Sequence, residues 1–333
     1  MKKIYVAVLV SLFTLAAAFI GMQAQGADHL EVVKSFDPEQ MELPEGIAID
    51  KIGNLFVSVG PPFFVGGGYG AIWRISPDGS ESTRLVEYPA GPAPAGLTVS
   101  PTGTVFYAVP NLGGPGGGIF RLEDGGEPEV IPGTEGMFVP NGIALDKQGN
   151  LFVSDSAMGA VWRMPADGSA PAEVWLQHEL VAGCTPEDLG ANGIAFWKEG
   201  LYVANTGRGA LIYVPIANDG SPGEPEVVAG NLDCAPEGLF AMDGIALDVH
   251  GNVYALLVLQ HKLVKIDPAD GTYTTLLTEE DGLWNPASIF FGTGKGDRES
   301  IFITNYAVIP PGSDLFGPAV LKYDVGVPGL PLP

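Results

Sequence analysis

Basic residues are scarce in this sequence, which has 16 Lys and Arg against 39 Asp and Glu and a formal net charge of −23. The few Lys and Arg form no cluster. A protein that binds nucleic acid needs a basic surface that faces the phosphates, so we expect no nucleic-acid partner. Strong acidity is compatible with cation binding, and it can equally serve only to keep a protein in solution.

Catalytic motifs built on serine or histidine are also missing. The four histidines are scattered without paired spacing, and neither G-x-S-x-G nor H-E-x-x-H occurs. A serine hydrolase or a zinc protease therefore has no support. Glycine-rich runs such as GGPGGG are present, but they join strand to strand. They offer no helix N-terminus to receive an anion, so we expect no nucleotide site.

Cysteine is limited to two residues, Cys184 and Cys234. In an oxidising compartment such a pair predicts a disulfide, and the alternative is two buried free thiols. The two cysteines occupy corresponding positions in adjacent copies of the repeat described below. A bond between them would therefore tie two neighbouring loops together.

Long apolar runs are limited to one, over residues 4–22, which follows the opening MKK and precedes QAQGA. A positive end, an apolar stretch and small residues predict a signal peptide over residues 1–27. The run is long for a signal peptide, so an uncleaved N-terminal anchor is the alternative, and the lack of a following cysteine argues against a lipoprotein. No other segment is apolar enough to span a bilayer. We expect an exported protein, periplasmic or extracellular.

One phrase recurs along the chain. EGIAIDKIGNLFVSVG begins at Glu45 and NGIALDKQGNLFVSDS at Asn141, and weaker copies begin at Asn192 and Asp243. Each copy predicts a short apolar strand, a tight turn and a second strand, after which a third and an outer fourth strand follow. Glycine and proline are abundant, with 47 and 29 residues, which disfavours long helices. Four short strands in a unit of about 40–50 residues are typical of a β-propeller blade.

The glycine near the start of the phrase marks a position that recurs once in each unit, so the copies of this position give the number of blades. The glycine itself recurs in five copies, and a degenerate sixth copy has serine in its place. These positions are Gly46, Gly96, Gly142, Gly193, Gly244 and Ser288. We therefore predict an all-β, six-bladed β-propeller over residues 28–333, without a second domain. The last unit lacks a fourth strand, so we expect the N-terminal segment HLEVVKSFD to close the last blade.

Propeller geometry sorts the loops onto two faces. The turns between first and second strands lie on the same face as the turns between third and fourth strands. This face is here called the turn face. The turns are short, and we interpret Asp50, Asp146 and Asp248 as turn formers. The opposite, irregular face carries long loops in blades 1, 2 and 6 and the connections that contain the cysteines. Irregular loops on a rigid scaffold usually carry function, so we expect the site on the irregular face.

The variable first residue of the phrase lies where the innermost strand of a blade begins, near the irregular face. The equivalent residues of six blades should therefore surround the central channel. These ring positions are Glu45, Ala95, Asn141, Asn192, Asp243 and, loosely, Asn285. Carboxylate and amide oxygens are the ligands that a hard divalent cation prefers, Ca²⁺ in particular. Alternatively, each residue could simply hydrogen-bond its own backbone.

The repeat resembles the regucalcin, gluconolactonase and luciferin-regenerating-enzyme family over about residues 40–325. That family consists of six-bladed propellers with one divalent metal in the channel, held by a Glu of an E-G pair, an Asn of an N-G pair and an Asp of a D-G pair. The resemblance implies that Glu45, Asn192 and Asp243 hold a divalent metal, expected to be Ca²⁺. It also implies metal-assisted hydrolysis of a small lactone or ester, with Asp243 as general base. Asn141 would bind the substrate or a water on the metal.

Three further polar residues end second strands at the irregular face: Asp155, Asn205 and Asn305. They could line a substrate site, or they could fix the loops that follow. The chain departs from the family at Val139, where an Arg that contacts a sugar acid is common, so a preference for sugar lactones does not follow. The rival function is a non-catalytic propeller that binds a ligand or a protein, which includes an accessory role in a secreted biosynthetic pathway.

Overall fold

The computed structural model describes residues 30–62, 69–88, 93–308 and 316–333. The predicted signal peptide lies outside these residues, as do His29 and most of the long loops expected in blades 1 and 6. Regular structure in the described residues is nearly all β, as the sequence predicts. No helix in this part of the chain has the length and apolar character needed to cross a membrane.

The strands form six four-stranded antiparallel sheets, which are the six blades of a propeller. The strands of blades 1 to 3 are, in order, β2 (Pro44–Ile49), β3 (Leu55–Val59), β4 (Gly70–Ile75), β5 (Ser82–Tyr88), β6 (Leu97–Val99), β7 (Val105–Val109), β8 (Gly118–Leu122), β9 (Glu129–Val130), β10 (Pro140–Leu145), β11 (Asn150–Asp155), β12 (Ala160–Pro165) and β13 (Glu173–Gln177).

The second half of the chain continues this pattern. The strands of blades 4 and 5 are β14 (Ala191–Trp197), β15 (Gly200–Asn205), β16 (Ala210–Pro215), β17 (Glu226–Gly230), β18 (Met242–Leu247), β19 (Val253–Leu257), β20 (Lys262–Ile266) and β21 (Tyr273–Leu277). Blade 6 consists of β22 (Pro286–Phe291), β23 (Ser300–Asn305), β24 (Ala319–Asp324) and the N-terminal strand β1 (Leu30–Ser35). Short 3-10 helices occur at Pro38–Gln40, Thr134–Gly136, Glu179–Val181 and Glu279–Asp281.

The last blade is closed by the start of the described chain. Strand β1 pairs antiparallel with β24, from Leu30 opposite Tyr323 to Ser35 opposite Ala319. Without β1, the hydrogen-bonding edge of β24 would face solvent. The prediction that HLEVVKSFD supplies the outer strand of the sixth blade is therefore confirmed.

The innermost strands of successive blades stand side by side around the channel, and β22 of the last blade returns to β2 of the first. The apolar core lies between the blades rather than within one layer. In the cluster between blades 3 and 4, for example, Phe152 packs edge-on against Trp175 and Phe196, with ring centroids 5.0 and 5.1 Å apart. Burial of such apolar surface between neighbouring blades holds the ring together.

Aspartates shape the turns between first and second strands. Asp146 Oδ1 accepts from Asn150 N (2.7 Å), and Asp146 Oδ2 accepts from Asn150 Nδ2 (2.8 Å). Asp50 and Asp248 make the same pair of bonds to the residue four positions later. Their carboxylates are used by their own turns, which confirms the interpretation of these residues as turn formers.

The two cysteines form a disulfide, as predicted. Cys184 lies between β13 and β14, and Cys234 lies between β17 and β18, with Cα atoms 6.0 Å apart. These are the connections that lead into the first strands of blades 4 and 5. The disulfide therefore links the chain segments that precede two ring positions, Asn192 and Asp243.

Candidate metal centre in the channel

Five of the six ring positions lie in a β-bulge at the start of a first strand, and blade 2 is the exception. In blade 3, Pro140 pairs with Asp155 and Ile143 pairs with Val153, so two residues of β10 face one residue of β11. The same register shift occurs at the start of β2, β14, β18 and β22. A bulge re-aims the side chain that it contains. This feature turns the first residue of the phrase toward the channel instead of into the sheet.

Hydroxyl groups on the second strands satisfy the backbone of these bulges. Ser58 Oγ accepts from Gly46 N (2.7 Å), and Ser154 Oγ accepts from Gly142 N (2.9 Å). Ser154 Oγ also donates to the carbonyl oxygen of a ring residue in the next blade, 2.6 Å away. In blade 6, the Thr304 hydroxyl makes the corresponding bonds: it accepts from Ser288 N and donates to Glu45 O. One hydroxyl thus fixes a bulge and joins it to its neighbour.

The constant glycine of the phrase is explained by the close approach of successive blades. A Cβ atom added at Gly96 would lie 2.3 Å from Asn141 O, and one added at Gly142 would lie 2.5 Å from Asn192 O. Corresponding contacts of 2.4 to 2.7 Å occur at the other three glycines. Only glycine fits without a shift of backbone, because the atom that it faces belongs to the main chain of the next blade.

This pattern corrects one expectation. The backbone that faces Gly244 belongs to Ala287 and Ser288, so Ala287 is the sixth ring position and Asn285 is not. Asn285 precedes β22 with φ 46°, and its Nδ2 donates to Val258 O at 3.1 Å. The expectation followed the polar residue Asn285 instead of the register, in which Ala287 directly precedes Ser288, the counterpart of the glycine. The ring therefore consists of Glu45, Ala95, Asn141, Asn192, Asp243 and Ala287.

A cavity of about 870 Å³ occupies the channel, and Glu45, Asn141, Asn192 and Asp243 all line it. Their strand starts place them at the end of the channel near the irregular face. From there the cavity extends to the turn face, where Lys147 and other turn residues border it. The cavity therefore reaches from the ring, near the irregular face, to the turn face. Loop length indicates where a surface varies, but it does not tell which end of the channel is open.

The last described residues border the cavity at the turn face. Val249 N donates to Pro328 O (3.0 Å), and Leu330 N donates to Leu247 O (3.1 Å). Leu330 packs against the core cluster between blades 4 and 5. The segment over residues 330–333 thereby becomes part of the cavity wall.

The two carboxylates of the ring lie in an environment that disfavours their charge. Burial raises the pKa of Glu45 well above its ordinary value, and the nearby Asp243 raises it further. Burial also raises the pKa of Asp243 to about 7, although a hydrogen bond from the Asn192 side chain acts in the opposite direction. Among the described residues, neither carboxylate forms an ion pair. Glu45 Oε2 is buried without any hydrogen-bond partner.

The amides of the ring are oriented by hydroxyls that the sequence reasoning missed. Asn141 Nδ2 donates to Ser156 Oγ (3.3 Å), and Asn192 Nδ2 donates to Thr206 Oγ1 (3.0 Å). Each hydroxyl in turn donates to a backbone carbonyl of the following blade, at 2.7 and 2.8 Å. Since the amide nitrogen is used in this way, the amide oxygen is left for the channel.

A third missed residue completes this layer. Tyr306 follows β23 just as Ser156 follows β11 and Thr206 follows β15. Burial raises the pKa of its hydroxyl, and the charges of Glu45 and Asp243 raise it further. The tyrosine is therefore neutral beside the two carboxylates. The signal that could have found all three residues was their shared place, one position after the polar residue that ends each second strand.

The residues that end the second strands hold loops. Asp155 accepts from Phe138 N (2.7 Å) and Val139 N (3.0 Å). Asn205 Nδ2 donates to two carbonyls of the connection into blade 4, both at 2.9 Å. Asn305 accepts from Trp284 N (2.6 Å) and also donates to loop carbonyls. All three side chains are buried against loop backbone and are not part of the cavity wall, which favours loop fixing over a role in substrate binding.

The donor set at the ring fits a hard divalent cation. In the described part of the chain, no three His, Cys, Asp or Glu side chains come together as a metal cluster. Two carboxylates and two amides do converge on the channel, and one carboxylate oxygen has no partner. Two half-buried carboxylates that face one cavity disfavour each other's ionisation, and a cation between them would favour it. Mixed carboxylate and amide oxygens are typical Ca²⁺ ligands.

Comparisons with solved structures place this fold among known propellers. A calcium-binding protein, regucalcin, from Agrobacterium tumefaciens superimposes with a TM-score of 0.67 at 14% identity, over 92% of this chain and 97% of its own. The chain has the fold of the regucalcin propellers. A luciferin-regenerating enzyme gives 0.66 at 16% identity, over 91% of this chain and 97% of that one. A gluconolactonase from Xanthomonas campestris gives 0.63 at 18% identity, over 92% of each chain.

At these identities the likeness establishes the fold, and it confirms the resemblance drawn from the repeat at that level. No protein-family model matches the sequence, and a search of curated proteins returns no significant match. Function must therefore be argued from the channel residues of this chain.

Proposed function

We propose that the protein is a metal-dependent hydrolase that opens a lactone or ester bond of a small molecule at the ring end of the channel. The observation that carries this proposal is the pair of half-buried carboxylates, Glu45 and Asp243, which face one cavity and find no cationic partner among the described residues. A purely structural ring would gain nothing from two such groups, because each buried charge without a partner destabilises the fold.

Glu45, Asn192 and Asp243 would hold the cation, which we expect to be Ca²⁺ because the donors are all oxygen. The cation would polarise the substrate carbonyl and stabilise negative charge on its oxygen. Thr206 would keep the Asn192 amide turned so that its oxygen faces the ion. Asn141, turned in the same way by Ser156, is the candidate contact for the substrate.

Asp243 is the candidate general base. Its carboxylate lines the cavity beside the Asn192 amide, which donates a hydrogen bond to it, so an Asp243 oxygen is placed to accept a proton from water at the ring. Glu45 faces the same cavity, where burial and the nearby Asp243 raise the pKa of its carboxyl. The neutral Tyr306 hydroxyl beside both groups can donate a hydrogen bond without adding charge.

The structural neighbours support the reaction class, since they include proteins described as gluconolactonases. The disulfide and the signal peptide predicted over residues 1–27 support export to the periplasm or the cell exterior. A small molecule is the proposed partner, in agreement with a cavity of about 870 Å³.

The test is metal analysis of the purified protein together with a panel of lactones and esters. We compare the wild type with Asp243→Asn, which keeps the shape and removes the charge, and with Asp167→Asn, a matched change in an exposed turn. We expect the wild type and Asp167→Asn to hold about one divalent ion and to hydrolyse a lactone, and Asp243→Asn to lose the metal or at least a hundredfold in turnover. Equal metal content in all three, with no hydrolysis by any, would reject the hydrolase in favour of a non-catalytic binding propeller.

A further inference from the structure

Below the ring, the side chains that the first strands contribute to the channel wall are almost all apolar. Each first strand contributes the residues two, three and four positions after its ring residue. Isoleucine or leucine occupies the first of these three tiers in every blade, and valine, isoleucine, leucine or phenylalanine occupies the last. Thr98 is the single polar side chain among these positions. All of them except Ala48 and Ile49 line the cavity.

The size of the side chains in the middle tier leaves open space on only one side of the channel. It has alanine in four blades, at Ala48, Ala144, Ala195 and Ala246, but phenylalanine in the sixth, at Phe290. Phe290 packs against the core clusters on both sides of blade 1, which places its ring over Ala48. The open space therefore lies beside the alanines of blades 3, 4 and 5, each of which lines the cavity.

The apolar wall continues to the opening. Leu330, Leu332 and two prolines of the last segment border the cavity at the turn face. Below the ring, the charged residues of the cavity wall lie toward the turn face, among them Lys147, Arg163 and Asp219. A ligand that reaches the ring from this face passes apolar side chains over the whole length of the first strands.

We propose that the site takes lactones or esters with an apolar body, with the carbonyl at the ring and an alkyl or aryl part against Ala144, Ala195 and Ala246. This inference rests on the proposed function and specifies its substrate class. Each methylene moved from water to such a wall improves affinity about fourfold. Each sugar hydroxyl buried there without a partner would cost about tenfold, and Thr98 can satisfy only one.

The test uses two lactones and one unreactive analogue. δ-Decanolactone carries a pentyl chain, whereas glucono-δ-lactone carries hydroxyls, and 3-pentylcyclohexanone keeps the ring, carbonyl and chain of the former without a bond to hydrolyse. Calorimetry measures binding of the ketone with and without Ca²⁺, and a pH-stat measures hydrolysis. We expect kcat/KM for δ-decanolactone to exceed that for glucono-δ-lactone at least a hundredfold, and the ketone to bind more tightly than cyclohexanone.

The variant Ala144→Phe places in blade 3 the side chain that blade 6 already has at Phe290, so its shape is compatible with this tier. We expect it to weaken ketone binding at least tenfold while metal content stays at the wild-type level. The control is Ile52→Phe, at a turn-face residue that is 67% exposed and lies outside the cavity wall, where binding should not change. If Ala144→Phe unfolds, Ala195→Leu tests the same wall with a smaller side chain.

The outcomes separate the two proposals. Ketone binding that the Ala144→Phe or Ala195→Leu change weakens, without hydrolysis of any lactone, would keep the apolar site and reject the hydrolase. Hydrolysis of glucono-δ-lactone at least as fast as δ-decanolactone would keep the hydrolase and reject the apolar substrate class. Failure of the wild type to bind the ketone, with or without Ca²⁺, would also overturn the apolar site.

Discussion

At the scale of single residues, the candidate site depends on groups that are unfavourable alone. Glu45 and Asp243 face one cavity from blades 1 and 5, and the described residues offer no cation for either. The sequence could predict both residues, because each begins a copy of a repeated phrase. It could not predict their protonation, which depends on burial within the assembled ring.

The first prediction concerns the stability of the metal-free protein as a function of pH. The ordinary pKa of aspartate is 3.8, and that of Asp243 in the fold is about 7, so between these values the folded chain holds a proton that the unfolded chain has released. Stability should therefore fall as pH rises from about 4 to about 7, by a few kcal/mol, since a tenfold change in proton affinity is worth about 1.4 kcal/mol. Glu45 acts in the same direction.

Urea unfolding in the presence of EDTA at pH 4.5, 6 and 8 measures this trend. Asp243→Asn should make it less steep, because the amide has no proton to release and only the contribution of Glu45 remains, and Asp167→Asn should leave it as steep as in the wild type. Metal-free stability that rises over the same range in the wild type would contradict the buried, unpaired state of this carboxylate.

The second prediction concerns the hydroxyl that turns a ring amide. Thr206 Oγ1 accepts from Asn192 Nδ2, so Thr206→Val keeps the shape and removes this bond. The amide can then rotate, and we expect about 10–100-fold weaker Ca²⁺ binding, as for other residues that orient metal ligands. Calorimetric titration with Ca²⁺ measures the change. Thr274→Val, at an exposed position of β21, is the control, and equal affinity in the two variants would remove Thr206 from the site.

At the scale of strands and turns, most of the fold could be predicted and the ring could be predicted in part. The repeated phrase gave the order of the strands, and the Asp-Gly-Asn turns gave their ends. The bulges were not visible, because a bulge of two residues against one leaves no mark in a pattern of apolar residues. The hydroxyls of Ser154 and Thr304 that hold the bulges were therefore overlooked, and the sixth ring position was misplaced at Asn285 because a polar residue was expected there.

The third prediction tests the contact between neighbouring first strands. In Gly142→Ala, the added carbon would lie 2.5 Å from Asn192 O, so the backbone of blade 4 must move. We expect the free energy of unfolding to drop by about 1–3 kcal/mol, as for other overpacked positions. Gly136→Ala is the matched control, because its nearest neighbour would be a side-chain atom of Trp162 at 3.6 Å. Urea unfolding compares the two, and an equal loss in both would show that the blades are not in tight contact there.

At the scale of the whole molecule, closure of the ring decides whether six strand starts can meet at one axis. The contacts that close it come from opposite ends of the described chain, since β1 pairs with β24 over Leu30 to Ser35. The sequence could predict this pairing because the last unit lacked one strand and the first unit was preceded by a spare one. The direction in which the channel is open could not be predicted, because it depends on side-chain volumes such as that of Phe290 and on the segment over residues 330–333.

The fourth prediction follows from that closure. A chain that begins at residue 37 lacks β1, so the edge of β24 is exposed along its length, and an exposed edge strand is a template for association. Compared with a chain that begins at residue 28, it should unfold at lower urea concentration and form oligomers, as measured by light scattering. Ca²⁺ affinity should fall as well, because β22, whose residue Ala287 completes the ring, belongs to the weakened blade. If the shorter chain remained monomeric and equally stable, the inner strands alone would hold the ring, and the N-terminal strand would be only a cover for the edge.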